Sequence, residues 1–153
     1  MNDKLKVLKK IAIRFNQEKI SWAMGASVLL FFNGIIDEFH DLDIMIDDND
    51  AIKAKQIMDE LGKHTPSPNN KNYKTKHFLE YVVDKVEVDV MGGFIIVKDG
   101  IDYDCSLDTN QIVSNYDLQG VNIPLYSVSE WRRFYDLMGR TNKVEIIDNY
   151  YKK

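Results

Sequence analysis

Asp41-Leu42-Asp43-Ile44-Met45-Ile46 alternates carboxylates with hydrocarbon, and the reading of this stretch decides the rest of the chain. Successive side chains of a strand point to opposite faces, so Leu42, Ile44 and Ile46 share one face and Asp41, Asp43 and Met45 the other. The apolar trio anchors the strand in a core. The two carboxylates, at i and i+2, stand side by side with Cα atoms roughly 6.5–7 Å apart. That spacing suits shared cations: two hard divalent ions about 3.5–4 Å apart, each taking carboxylate and phosphate oxygens, serve in-line phosphoryl and nucleotidyl transfer. Between Lys19 and Lys53 the chain has no Lys or Arg, yet it carries Asp37, Glu38, Asp41, Asp43, Asp47, Asp48 and Asp50. Taken alone, Asp41 and Asp43 are equally the wet face of an edge strand.

Further along, Val86-Glu87-Val88-Asp89-Val90 repeats the arrangement, with the valines on one face and Glu87 and Asp89 on the other. If this strand lies beside the first with polar faces together, Asp89 becomes a third carboxylate, able to bind a cation and take the proton of an attacking hydroxyl. Glu87 is the reserve for that role. In the other direction, Gly25-Ala26-Ser27 falls between a short apolar strand, Ile20 to Met24, and a helix through Leu29, Leu30 and Phe32 that Gly34 ends. Backbone N–H groups and a hydroxyl at such a junction can receive a phosphate, and Ser27 is also a good helix N-cap.

The remaining periodicities supply the scaffold. Leu5, Leu8, Ile11, Ala12 and Phe15 recur at helical spacing, predicting an amphipathic helix that ends near Lys19. Ala54, Ile57, Met58 and Leu61 predict another, capped by Asp48, Asn49 or Asp50 and closed by Gly62. His64 to Asn72 holds two of the three prolines and three asparagines, the chemistry of an exposed, movable loop. Phe78 to Val83 pairs with Val86 to Val90 across Asp84-Lys85. Ile95 to Val97 pairs with Ile101 to Tyr103 across Asp99-Gly100, and Ile112 to Leu118 with Val121 to Leu125 across Gln119-Gly120. Ser127-Val128-Ser129-Glu130 is a capping box for a helix with Val128, Trp131, Phe134, Tyr135 and Met138 on one stripe and Gly139 after it. Thr141 is placed to cap a last helix through Val144, Ile147 and Tyr151. The expected class is α+β, a mixed, largely antiparallel sheet flanked by helices, in a single domain spanning residues 1–153.

Composition bounds the function. The chain has 153 residues, 44% hydrophobic and 29% charged, which excludes a disordered or low-complexity polypeptide. Twenty Lys+Arg against 24 Asp+Glu give a net charge of -4, the wrong sign for stable binding to nucleic acid or an anionic membrane. The longest uncharged run, Ile20 to Ile36, is shorter than a membrane helix, and the N-terminus lacks the apolar core of a signal peptide, so the cytoplasm is expected. The lone Cys105 excludes an internal disulfide and reads as a buried thiol. His40 reads as a loop residue, Asp47-Asp48-Asn49-Asp50 as helix capping rather than a calcium loop, and Trp22 and Trp131 as core aromatics.

Met24-Gly25-Ala26-Ser27, then Asp41-Leu42-Asp43-Ile44, then Val88-Asp89-Val90 resembles the signature of the polymerase-beta-like nucleotidyltransferases. Among these the chain is most similar to small single-domain bacterial members related to lincosamide and aminoglycoside nucleotidyltransferases. The likeness spans roughly residues 20 to 145 and includes Gly62, Asp89-Val90-Met91-Gly92-Gly93-Phe94 and Gly139-Arg140 followed by Lys143. It implies the nucleotidyltransferase fold and a metal-dependent enzyme that moves a nucleoside monophosphate from a triphosphate, ATP first among them, to a hydroxyl. Asp41, Asp43 and Asp89 would bind Mg2+ or Mn2+ and carry catalysis, while Gly25, Ala26 and Ser27 would cradle the triphosphate.

Two positions depart from that pattern. Ala26 stands where the family most often has Gly or Ser, and Glu38, Phe39 and His40 stand where it often has an Arg. Positive charge for the phosphates must then come from elsewhere, with Arg140 and Lys143 favoured over Arg132 and Arg133, which read as a solvated helix face. Lys71, Lys74 and Lys76 lie in or beside the movable loop. The expected acceptor is a small molecule of aminoglycoside or lincosamide kind, and a second copy of the chain would be one way to complete its pocket. The alternatives are a protein-modifying transferase and a non-catalytic nucleotide- or metal-binding module.

Overall fold

The N-terminal helix α1 (Asp3–Gln17) begins where Asn2 caps it, its side chain accepting from the Leu5 N–H at 2.8 Å, and buries Val7, Leu8, Ile11, Ala12 and Phe15. The computed structural model describes residues 2–65 and 74–152. After α1 the chain turns through Lys19 at φ 57°, and the Ile20 N–H closes back on the Phe15 carbonyl at 3.0 Å. Pairing therefore starts later than the expected Ile20, in β1 (Trp22–Met24). Next come α2 (Ala26–Phe32), β2 (Leu42–Ile46), a 3-10 turn at Asp48–Asp50, and α3 (Ala51–Leu61). The strands β3 (Lys63–Thr65), β4 (His77–Val83), β5 (Val86–Gly92), β6 (Ile95–Lys98), β7 (Ile101–Asp104), β8 (Ile112–Leu118) and β9 (Val121–Tyr126) precede α4 (Val128–Leu137) and α5 (Thr141–Tyr151).

Three expectations change on contact with the structure. Ser27 is not the N-cap of α2: Gly25 holds that place, and the Ser27 hydroxyl accepts from Lys143 Nζ at 3.4 Å instead. Thr141 is likewise inside α5, with Arg140 at its N-cap. His64 and Thr65, expected in a loop, form β3 and pair with β4, the His64 ring lying 5.1 Å from that of Tyr81. The rest of that expected loop, 66–72, lies outside the described residues. Ser127 does cap α4, accepting from the Glu130 N–H at 3.2 Å.

Among the described residues the main sheet has seven strands in the order β3-β4-β5-β2-β1-β9-β8, while β6 and β7 pair separately. Its junctions are antiparallel except at β2–β5 and β1–β9. The fold is α+β. Leu42, Ile44, Val88 and Val90 are wholly buried, and α1 and α3 pack side by side over the sheet. The three hairpin turns each place both residues at positive φ: Asp84 and Lys85 at 48° and 71°, Asp99 and Gly100 at 53° and 77°, Gln119 and Gly120 at 51° and 88°. These are the turns whose twist matches that of the paired strands. Cys105 is buried, which pushes its thiol up to about 11. No described helix is long and apolar enough to cross a membrane.

Candidate active site

The parallel pairing of β2 and β5 sets Asp43 directly opposite Asp89, and Asp41 follows two residues earlier on the same face as Asp43. Asp41, Asp43 and Asp89 each offer a carboxylate oxygen, and these oxygens lie within 4.8 Å of one another. All three acids are half-buried. Burial first, then the charges of Asp89 and Asp41, push the Asp43 carboxyl well above the usual range. Burial, then Glu80 and Asp41, raise Asp89 to about 6, and the two carboxyls share a hydrogen bond. Carboxylates this close cannot all ionise without a compensating cation. Oxygen-only donors of this kind fit hard divalent ions such as Mg2+ or Mn2+.

The acids line a cavity of about 290 Å³ together with Ala26, Ser27, Trp131, Tyr135 and Arg140. The Gly25 N–H donates to the Asp43 carbonyl at 3.1 Å, which ties the Gly25-Ala26-Ser27 turn to the acid-bearing strand. Gly25 cannot carry a side chain, since a Cβ there would stand 2.4 Å from the Trp131 ring. Ala26 sits at φ 52°, a left-handed conformation where alanine is strained. Arg140 covers the Tyr135 ring at 5.6 Å, and its positive charge counters the rise at Asp43. Lys143 reaches Ser27, and burial, then the neighbouring Arg140, hold its ammonium below the ordinary range. The structure thus brings together Asp41, Asp43, Asp89, Ala26, Ser27 and Arg140 around the cavity, with Gly25 in the turn but not lining the cavity and Lys143 against Ser27.

Other expected cations are engaged elsewhere. Arg132 pairs with Asp148 at 2.6 Å and Arg133 with Glu130 at 2.9 Å, both on the helix surface. Lys74 pairs with Asp102 at 3.2 Å and Lys76 with Asp48 at 3.3 Å, and neither lines the cavity. Lys71 lies outside the described residues. Glu87 is exposed and stands outside the carboxylate cluster, whereas Asp89 is within it. His40 is exposed in the loop before β2.

No family model matches the chain, and no curated protein matches it by sequence. Solved structures do. Over 97% of this chain and 92% of the other, it superposes with a TM-score of 0.75 and 27% identity on a Thermotoga maritima protein provisionally assigned as a nucleotidyltransferase. The chain has the nucleotidyltransferase fold. The lincosamide antibiotic adenylyltransferase LnuA, solved with lincomycin, gives a TM-score of 0.60 at 17% identity over 85% of this chain and 84% of that one. ANT(2'')-Ia with adenylyl-2''-tobramycin gives 0.63 at 8% identity over 95% and 87%. At these identities the two antibiotic enzymes speak for the fold alone.

Within this nucleotidyltransferase fold, several cavity residues carry no mark in the linear sequence. Glu80, which does not line the cavity, acts on Asp89 because β4 pairs the two, a relation visible only once hairpin register is known. Trp131, Tyr135 and Met138 lie on a helix stripe that reads as core, and Trp131 and Tyr135 are buried while still forming a cavity wall. Phe78, Met91 and Phe94 complete the apolar side.

Proposed function

We propose that the chain transfers a nucleoside monophosphate from a nucleoside triphosphate to a hydroxyl of a small molecule, with divalent metal held by Asp41, Asp43 and Asp89. The observation that carries this reading is the convergence of those three carboxylates, with oxygens within 4.8 Å, on a cavity that Arg140 also lines. ATP is the first donor to test, since LnuA is an adenylyltransferase. When bound, divalent cations supply neutralisation of the phosphate charge and acidify the attacking hydroxyl.

The residues divide the remaining work. Asp89 takes the proton as the acceptor oxygen bonds to the α-phosphorus and the bond to the bridging oxygen breaks, releasing pyrophosphate. Arg140 and Lys143 balance charge on the phosphate chain. The Gly25-Ala26-Ser27 turn holds the phosphates in position, and the apolar wall of Phe78, Met91 and Phe94 excludes water from the acceptor side.

The test is incubation with each α-labelled triphosphate, Mg2+ or Mn2+, and a panel of aminoglycosides, lincosamides and cell lysate. Label on a small molecule is the expected result. Label confined to a polypeptide would replace the acceptor class, and binding without transfer would make the chain a nucleotide-binding module. Asp43→Asn is expected to lower the rate at least 1000-fold with a melting temperature equal to or above that of the wild type, and Asp89→Asn to cost far more than Glu87→Gln. An unchanged rate in Asp43→Asn would remove that residue from the mechanism.

A further inference from the structure

One polar group in the cavity wall has no role in the scheme above. The Trp131 indole is 2% exposed, and its Nε1–H has no hydrogen-bond partner among the described residues. The other tryptophan shows the usual arrangement, Trp22 donating its Nε1–H to Asn16 Oδ1 at 2.9 Å. Burying an indole donor without an acceptor is unfavourable, and a phenylalanine would fill the same aromatic cluster, stacked on Phe94 and edge-on to Phe134, without that cost. The donor therefore lacks an acceptor from the chain itself, and because its nitrogen has no exposed surface an acceptor reaches it only as the surrounding wall shifts.

Its position says which kind. A Cβ on Gly25 would lie 2.5 Å from Trp131 Nε1, so the bare glycine is what lets the polar edge of the indole reach the Gly25-Ala26-Ser27 turn. Around the same turn stand Arg140, on the cavity wall, and Lys143, at 3.4 Å from Ser27 Oγ. A donor against a turn that Lys143 also contacts, in a cavity that Arg140 lines, favours an anionic oxygen. We propose that the Trp131 indole N–H donates a hydrogen bond to a phosphate oxygen of the bound nucleoside triphosphate, a proposal that rests on the nucleotidyl-transfer reading and adds a side-chain donor to it.

The experiment uses the full chain, Trp131→Phe, and two probes: an α,β-methylene triphosphate and inorganic pyrophosphate, each with Mg2+. Calorimetric titration is expected to show Kd raised about tenfold for both probes in Trp131→Phe, with a melting temperature equal to or above that of the wild type. In the wild type, the Trp131 indole 15N–1H resonance, assigned against Trp131→Phe and Trp22→Phe, is expected to move on adding pyrophosphate. Equal affinities in the two proteins, or an indole resonance that stays in place while the probes bind, overturn the proposal and leave the nucleotidyl-transfer reading standing. A wild type that binds neither probe overturns both. If Trp131→Phe fails to fold, the resonance in the wild type decides alone.

Discussion

An alanine in left-handed backbone costs about 1–2 kcal/mol relative to a relaxed one, yet Ala26 adopts φ 52° in the turn beside the acids. Replacing it by glycine removes that strain but returns chain entropy to the unfolded state and gives up the burial of the methyl group. Ala26→Gly is therefore expected to leave stability within about 0.5 kcal/mol of the wild type, while Ala54→Gly, fully buried in α3, costs about 2 kcal/mol. Urea melts of the two variants check the contrast, and a large loss in Ala26→Gly would mean that the methyl group packs rather than strains. The acids supply a second prediction at this scale. Asp89 holds its proton up to about pH 6 in the folded chain but only to about 3.8 when unfolded. Across that window the folded state binds the extra proton, so this contribution to stability is present below about pH 4 and is lost as the pH rises to about 6. In EDTA at pH 7.5, Asp89→Asn is expected to melt about 3 °C above the wild type, with the gap closing at pH 4.5. Thermal scans at the two pH values test the sign.

At the scale of elements, the hairpin turns differ in a way that can be measured. Asp99-Gly100 and Gln119-Gly120 place glycine at the second positive-φ position, whereas the β4–β5 turn places Lys85 there, at 71°. Lys85→Gly is expected to stabilise the chain by about 0.5–1 kcal/mol, seen as a rise of about 1–4 °C in melting temperature on the scale of roughly 2–4 °C per kcal/mol for a chain of this size. No rise would show that the local backbone relaxes around the lysine without strain. The same turns explain why the hairpins were legible in the sequence. Strict alternation on each side of a two-residue break leaves one way to pair the strands, so Phe78 to Val83 and Val86 to Val90 meet as the spacing implies. Caps were less legible, because Ser27 and Thr141 are good capping residues by type, but tertiary contacts decide which residue ends the helix. Ser27 is drawn to Lys143, and the backbone at Gly25 is fixed by Asp43.

For the whole molecule, the sequence reveals the acids but not the strand order. Asp41, Asp43 and Asp89 stand out because alternation is local, while the parallel β2–β5 junction that joins them, the separation of β6 and β7 from the main sheet, and the placement of Glu80 and Trp131 depend on contacts between distant segments. On the proposed reading the assembled carboxylates hold a divalent ion, and stability then depends on cations. At pH 7.5, millimolar Mg2+ or Mn2+ is expected to raise the melting temperature by about 3–6 °C, the effect of a ligand present at tens of times its Kd, and Asp43→Asn to abolish the rise. Differential scanning calorimetry gives the answer without any turnover. The β2–β5 junction has one more consequence. Sliding β5 by two residues would put Glu87 where Asp89 now faces Asp43 and would keep every hydrocarbon side chain on its present side, so charge and oiliness alone tolerate either alignment. That slide would also bring Val90 against Ile46, where Gly92 now sits and where even a single added carbon would stand 3.3 Å from the Asp48 backbone. Crowding at the far end of the strand, at a residue that does not line the cavity at all, thus favours Asp89 over Glu87 as the third acid.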